Sequence, residues 1–195
     1  NLNRNRSREI NDHFLDRDIL GLTTRTAVSF ESTNQNPTWD DQACIVCHIR
    51  LDPIAGAYQN WPRVEGRQGV YDPAHDDAQD RWNDDHPDSI LREPGLEADE
   101  LLPLDRQADG LHWLAEQIVA DPRFAMATAR TLFEGLTHRD SLRTPLPETD
   151  NFLVKSQAWR MQRELLEAAA RSFSDNGRDY QQLALTMLLS PLLRA

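Results

Sequence analysis

Cys44-Ile45-Val46-Cys47-His48 sets two thiols and an imidazole within five residues, the spacing of a c-type haem attachment motif. On a helix the two sulfurs lie close enough to form thioethers with the two vinyl groups of one porphyrin. The next residue then brings its imidazole under the iron. The pattern predicts one covalently attached haem c, with Cys44 and Cys47 as anchors and His48 as the proximal iron ligand. The chain has two cysteines, both inside the motif, which leaves none for a disulfide framework elsewhere. Three other uses of the pair stand beside this one. A structural zinc site would need two further ligands from a second cluster, and no second Cys-x-x-Cys or His-x-His is present. A redox dithiol would need a strand and helix context that the flanking residues do not supply. A disulfide across a two-residue gap would close a small loop of little stabilising value.

Around this motif the 195 residues suffice for one substantial domain, or for a small haem domain with a helical appendage. With 39% hydrophobic and 27% charged residues the composition is that of a globular protein. The longest apolar stretch, residues 183 to 193, is broken by Thr186, Ser190 and Pro191 and is too short to cross a bilayer. A net charge of −11 argues against nucleic acid or an anionic membrane surface as partner, since binding there relies on Lys and Arg displacing counterions. It suits a redox partner with a basic face or, the preferred reading, simply a chain kept soluble by mutual repulsion. Redox proteins or other haem subunits are the expected partners of a haem domain. Covalent haem attachment in bacteria takes place outside the cytoplasmic membrane, so the motif implies export to the periplasm or beyond. The chain opens at Asn1 without a methionine or an apolar leader, which fits either a removed signal peptide or, the preferred reading, a segment of a longer exported protein.

The elements that must hold the motif read as helices throughout. No segment has the sustained two-residue alternation of a strand, so the expected fold class is all-α. Residues 3 to 20 place Ile10, Phe14 and Leu15 at helical spacing and stop at Gly21, with Arg4, Arg6 and Arg8 at the start of that helix. Thr38-Trp39-Asp40-Asp41 resembles a capping box ahead of the motif, and Asp52-Pro53 is expected to end or redirect the motif helix. Residues 62 to 108, rich in proline, glycine and aspartate, read as a long irregular acidic loop. Calcium binding by the aspartates of residues 72 to 88 is conceivable, but no twelve-residue ligand loop is present and a solvated loop is preferred.

From Gly110 the chain turns helical again. Leu111, Leu114, Ile118 and Val119 form one stripe, and Asp121-Pro122 supplies a cap and a first-turn proline for a helix carrying Phe124, Ala127, Leu132 and Phe133. A connector over residues 141 to 149 leads to a long amphipathic helix with Trp159, Met161, Leu165 and Leu166. Asp179 opens the last helix, which closes near Ser190-Pro191. Two regions follow: residues 1–108, the haem-binding region with motif and loop, and residues 109–195, a C-terminal helical bundle packed as one unit with it.

At these residues the chain resembles the planctomycete-type cytochrome c modules, found towards the C-terminal ends of large exported bacterial proteins. The resemblance rests on Cys44-Ile45-Val46-Cys47-His48 followed by Leu51-Asp52-Pro53-Ile54-Ala55-Gly56. It extends to Leu114-Ala115, Asp121-Pro122-Arg123-Phe124-Ala125 and the closing helix from Tyr180 to Leu193, although the haem signature alone is specific. Where the family often has glycine directly after Asp-Pro-hydrophobic, Ala55 stands and Gly56 comes one later; near Leu136-Thr137-His138-Arg139 a Gly-Arg pair is missing. The resemblance implies haem binding and electron transfer, but no particular reaction.

The second iron ligand has several candidates, and its identity sets the chemistry: methionine raises the reduction potential, histidine lowers it, and an open position admits exogenous ligands. His86 is the first choice, in Trp82-Asn83-Asp84-Asp85-His86-Pro87 within the long loop; the family resemblance implies that it replaces a methionine ahead of Glu93-Pro94-Gly95. Met126 is the second, with core packing as its ordinary use. His75 and His112 trail them, and Met161 and Met187 are expected in the core. For His48 the second ring nitrogen is expected to donate to a carbonyl, with that of Pro53 well placed. Trp39, Tyr58 and Trp61 offer an apolar wall, and Arg50, Arg63 or Arg67 a partner for the propionates.

The reading is thus a single-haem electron-transfer domain with no assigned catalytic residues. The rivals are a haem enzyme or gas sensor with an open or displaceable distal site, and an assembly module whose C-terminal helices dock a partner. No Ser/His/Asp set, phosphate-binding glycine loop or paired-carboxylate arrangement rises above background.

Overall fold

The computed structural model describes residues 2–25, 38, 42–61, 70–72 and 92–190. Among them are seven α-helices and no strand, so the fold is all-α as expected. In chain order they are α1 (Leu2–Leu15), α2 (Ile19–Arg25), α3 (Gln42–Gly56), α4 (Gly110–Ala120), α5 (Pro122–Thr137), α6 (Phe152–Asp175) and α7 (Tyr180–Leu189), with a 3-10 turn over Leu104–Asp109 before α4. None of the described helices is long and apolar enough to cross a membrane. The chain divides into two compact units, one of residues 1–12 and 17–120, the other of residues 13–16 and 121–195. Helix α4 therefore belongs with the motif-bearing unit.

In the first unit, α1 buries a face that hydropathy does not mark. Asn3, Ser7, Ile10 and Asn11 lie on it, all buried, while Phe14 is exposed. These four follow helical spacing, but three are polar, so the stripe is invisible to an apolar count. Asn11 answers its burial by donating from Nδ2 to the carbonyl of Ser7 at 2.9 Å and accepting from Arg17. The helix ends at Asp16, whose φ of 48° leaves the right-handed region. Gly21, the expected stop, lies inside α2.

Helix α3 carries the motif and packs against α2. It also runs through Pro53, where an end or a redirection is expected, and does not end there. A proline there removes the backbone bond to the carbonyl of Ile49 and disfavours helical backbone at Asp52, at a cost of about 3 kcal/mol. Side-chain bonds fix Asp52 in place, as described below, and the carbonyl of Pro53 accepts the backbone N–H of Gly95 at 3.0 Å. The segment 92–102 thus closes over the end of α3. Its own turn is tied by Leu96 N–H to the carbonyl of Glu100 at 2.9 Å and Leu102 N–H to that of Pro94 at 2.7 Å. Gly56 permits the approach: a β-carbon there would sit 3.0 Å from Cα of Pro94. In α4 the buried stripe is Trp113, Leu114 and Ile118, with Val119 exposed.

The second unit packs α5, α6 and α7 against one another. Its core takes Ala125, Met126, Ala129 and Phe133 from α5, Leu166, Ala169, Ala170 and Phe173 from α6, and Leu183 and Met187 from α7. Alanines at the facing positions let the helix backbones come close, and Phe173 fills the space beyond, edge-on to Tyr180 at 5.1 Å. The expected caps form. Asp121 accepts from Arg123 N–H with Pro122 in the first turn, and Asp179 accepts from Gln181 and Gln182 N–H at 2.8 and 3.1 Å. Met161, expected in this core, is 59% exposed, because the buried face of α6 passes through Ser156, Leu166, Ala169, Ala170 and Phe173 instead. Asp16 belongs to this unit, receiving Arg163 at 2.6 Å and Arg130 at 3.2 Å.

Candidate functional site

Cys44, Cys47 and His48 all lie on α3, as their spacing requires. Both cysteines carry free thiols; Cys44 is half-buried and Cys47 is buried. The Cys47 thiol reaches the carbonyl of Ile19 on α2 at 3.6 Å. Burial pushes the Cys47 thiol above the usual range, with the nearby Arg50 guanidinium opposing that shift. Among the described residues no group of three or more His, Cys, Asp and Glu could hold a metal as a protein-only cage.

The imidazole of His48 is held by a residue that sequence reading did not select. Its Nδ1 lies 2.9 Å from Oδ1 of Asp52, one turn further along the same helix. Asp52 is fully buried, and its carboxylate is gripped by the fork of Arg4 from α1: Nε donates to Oδ1 at 2.8 Å and Nη2 to Oδ2 at 3.2 Å. A carboxylate that takes two guanidinium N–H bonds acts as an acceptor. Nδ1 of His48 must then be the donor, which leaves the lone pair on Nε2. The expected partner, the carbonyl of Pro53, is not used in this way. That carbonyl already serves Gly95. The Asp-Pro sequence does hold the histidine, but through the Asp side chain.

The other expected site residues are placed as follows. Tyr58, just past α3, lies under the guanidinium of Arg6 at 5.1 Å, and burial pushes its hydroxyl above the usual range while Arg6 pulls it back. The backbone carbonyl of Trp61 accepts from Arg6 at 2.8 Å, and its ring tilts against Tyr71 at 5.4 Å between centroids. Arg50 donates to the carbonyl of Val46 at 2.9 Å, one turn back on its own helix. Met126 sits in the core of the second unit. His112 is exposed beside Asp109 and Glu116, and with Trp61 and Tyr71 it lines a cleft of about 210 Å³ in the first unit. Trp39, Arg63, Arg67, His75 and His86, and nearly all of the stretch weighed for calcium, lie outside the described residues.

The donor set fits a covalently held haem. Two thiols free of any disulfide stand three residues apart on one helix, and the adjoining imidazole has one nitrogen committed to a carboxylate and the other left as a Lewis base. Arg4 and Asp52 are the residues around His48 that spacing did not reveal. Their signal is the Asp four residues after the His, a helical neighbour. Compared with known proteins, the chain matches no family model, no curated protein and no solved structure.

Proposed function

We propose that this chain is a single-haem c-type cytochrome domain that carries electrons outside the cytoplasmic membrane, as a segment or subunit of a larger redox assembly related to the planctomycete-type cytochrome c modules. One observation carries the reading: directly after two free thiols stands an imidazole whose Nδ1 is tied to a fully buried carboxylate. That restraint is what a metal ligand requires, because the bond selects the tautomer and aims the ring.

The residues of the chain divide the work. The sulfurs of Cys44 and Cys47 would carry the thioethers, and Nε2 of His48 would bind the iron. Asp52 and Arg4 keep the ring from turning. A bound haem supplies one-electron exchange between ferrous and ferric iron. His86 is the proposed second ligand; Met126, the other candidate, is taken up by the core of the second unit. The charge of −11 suits a donor or acceptor with a basic face.

The test is a pyridine haemochrome spectrum together with the intact mass of the export-matured chain. The spectrum of a haem with two thioether links and a mass increased by one haem are expected. A colourless product weighing only its amino acids overturns the reading. Rapid carbon monoxide binding to the ferrous protein at neutral pH would replace electron transfer by the rival reading, a haem enzyme or gas sensor.

A further inference from the structure

We propose that Asp52, backed by Arg4, is a positioning residue that makes His48 an unusually electron-rich ligand and so holds the iron at a low reduction potential; this rests on the haem reading above. A backbone carbonyl at Nδ1 would be a neutral acceptor. Here the acceptor is an ion, 2.9 Å away and fully buried. In so dry a setting a charged acceptor polarises the N–H bond far more than it would in water, and the imidazole passes that charge to whatever Nε2 binds. Ferric iron, the more positive state, gains most. The domain would then give up an electron readily, and the reaction that loads it must come from a strong reductant.

Arg4 has its own part. A carboxylate with no exposed surface needs a partner for its charge, and the guanidinium fork on Oδ1 and Oδ2 provides it. With both oxygens engaged, Asp52 cannot swing away from His48. The rival explanation is that the pair only pins α1 to α3. That role would influence folding and leave the iron untouched, so the deciding readout is electronic.

The experiment measures the midpoint potential and the ferric-state proton NMR resonances of the His48 ring in the haem-loaded chain, in Asp52→Asn and in Arg4→Gln/Asp52→Asn. Asp52→Asn should raise the potential and move the ring resonances. The double variant, in which two amides replace two ions and no buried charge is stranded, should keep the part of that rise due to the lost carboxylate on Nδ1 rather than to an unpaired Arg4, while Asp52→Glu should return most of the way to the parent value. A potential unchanged in both neutral variants, with haem attached and helical content retained, overturns the inference and leaves the haem reading standing. The unaltered protein gives a check free of folding effects: its His48 Nδ1 proton should exchange slowly with solvent, and exchange at the rate of an exposed imidazole overturns the inference. Absence of haem from the unaltered protein defeats the underlying reading instead.

Discussion

The two units of this chain are held by different means. The second is an apolar contact among three helices, spaced as helical geometry dictates, with Phe173, Leu183 and Met187 almost completely buried. The first buries Asn3, Ser7, Asn11, Asp52 and Gln59, and joins segments far apart in sequence through directed polar bonds: Arg4 to Asp52, Arg6 to Trp61, Arg17 to Glu97. An apolar core tolerates any side chain of suitable volume, whereas a polar joint accepts only its own geometry. The unit that carries the motif is therefore the less forgiving of the two. The second unit has such joints too, among them the clasp of Arg130 and Arg163 on Asp16 and the bond from Leu142 N–H to Gln162.

The comparison can be broken by substitution. Phe173→Ala should cost about 4 kcal/mol by opening a cavity in the second unit, and Phe173→Leu much less, read by urea unfolding. If the leucine variant were as damaged as the alanine one, the second unit would be as exacting as the first. Arg4→Met, which strands a buried carboxylate, should cost about 3 kcal/mol. Arg4→Lys should recover little of it, because an ammonium cannot make the two-pronged contact; full recovery by lysine would show that charge alone suffices. Both are read as loss of thermal stability in the far-ultraviolet dichroism.

Smaller effects sharpen the picture. His86→Met should leave haem attachment intact and raise the midpoint potential by on the order of 100 mV; an unchanged potential and spectrum remove His86 from the iron. Asp121→Ala should cost about 1 kcal/mol by leaving the first turn of α5 without its cap. The smallest effect is set by pH. Tyr58 has its hydroxyl pushed up by burial, so the unfolded chain releases that proton first and binds fewer protons through the window above about pH 10. Stability should be full below that window and fall as pH rises through it. Tyr58→Phe should flatten the fall, and absorbance at the tyrosinate band reports the titration directly.

Legibility from sequence follows the same division. The caps at Asp121 and Asp179, the first-turn Pro122 and the placement of Leu166 and Met187 in the core were all readable, because each depends on neighbours within a turn or on apolar spacing. Met161 failed that test because a long helix has room for an apolar residue on its wet side. In the first unit the helix location of Cys44, Cys47 and His48 was readable for the same local reason. The buried face of α1 was not, since it is built of asparagine and serine. Nor was the anchor of His48: the partner of Asp52 stands 48 positions away, and nothing in the spacing of Arg4 tells a buried fork from a surface charge. Of the two outcomes expected at Asp52-Pro53, an end or a redirection of α3, the end does not occur, because the bonds made by Asp52 and Gly95 offset the cost of an internal proline.

The reach of Arg4 and Gly95 bears on any attempt to shrink this protein. A peptide excised as Gln42–Gly56 would retain both sulfurs and the imidazole, yet it would lose the guanidinium that steadies Asp52 and the amide that engages Pro53. Keeping these contacts would take three separate stretches of chain, and a transplanted motif helix alone would bring the imidazole without the buried ion pair that holds it.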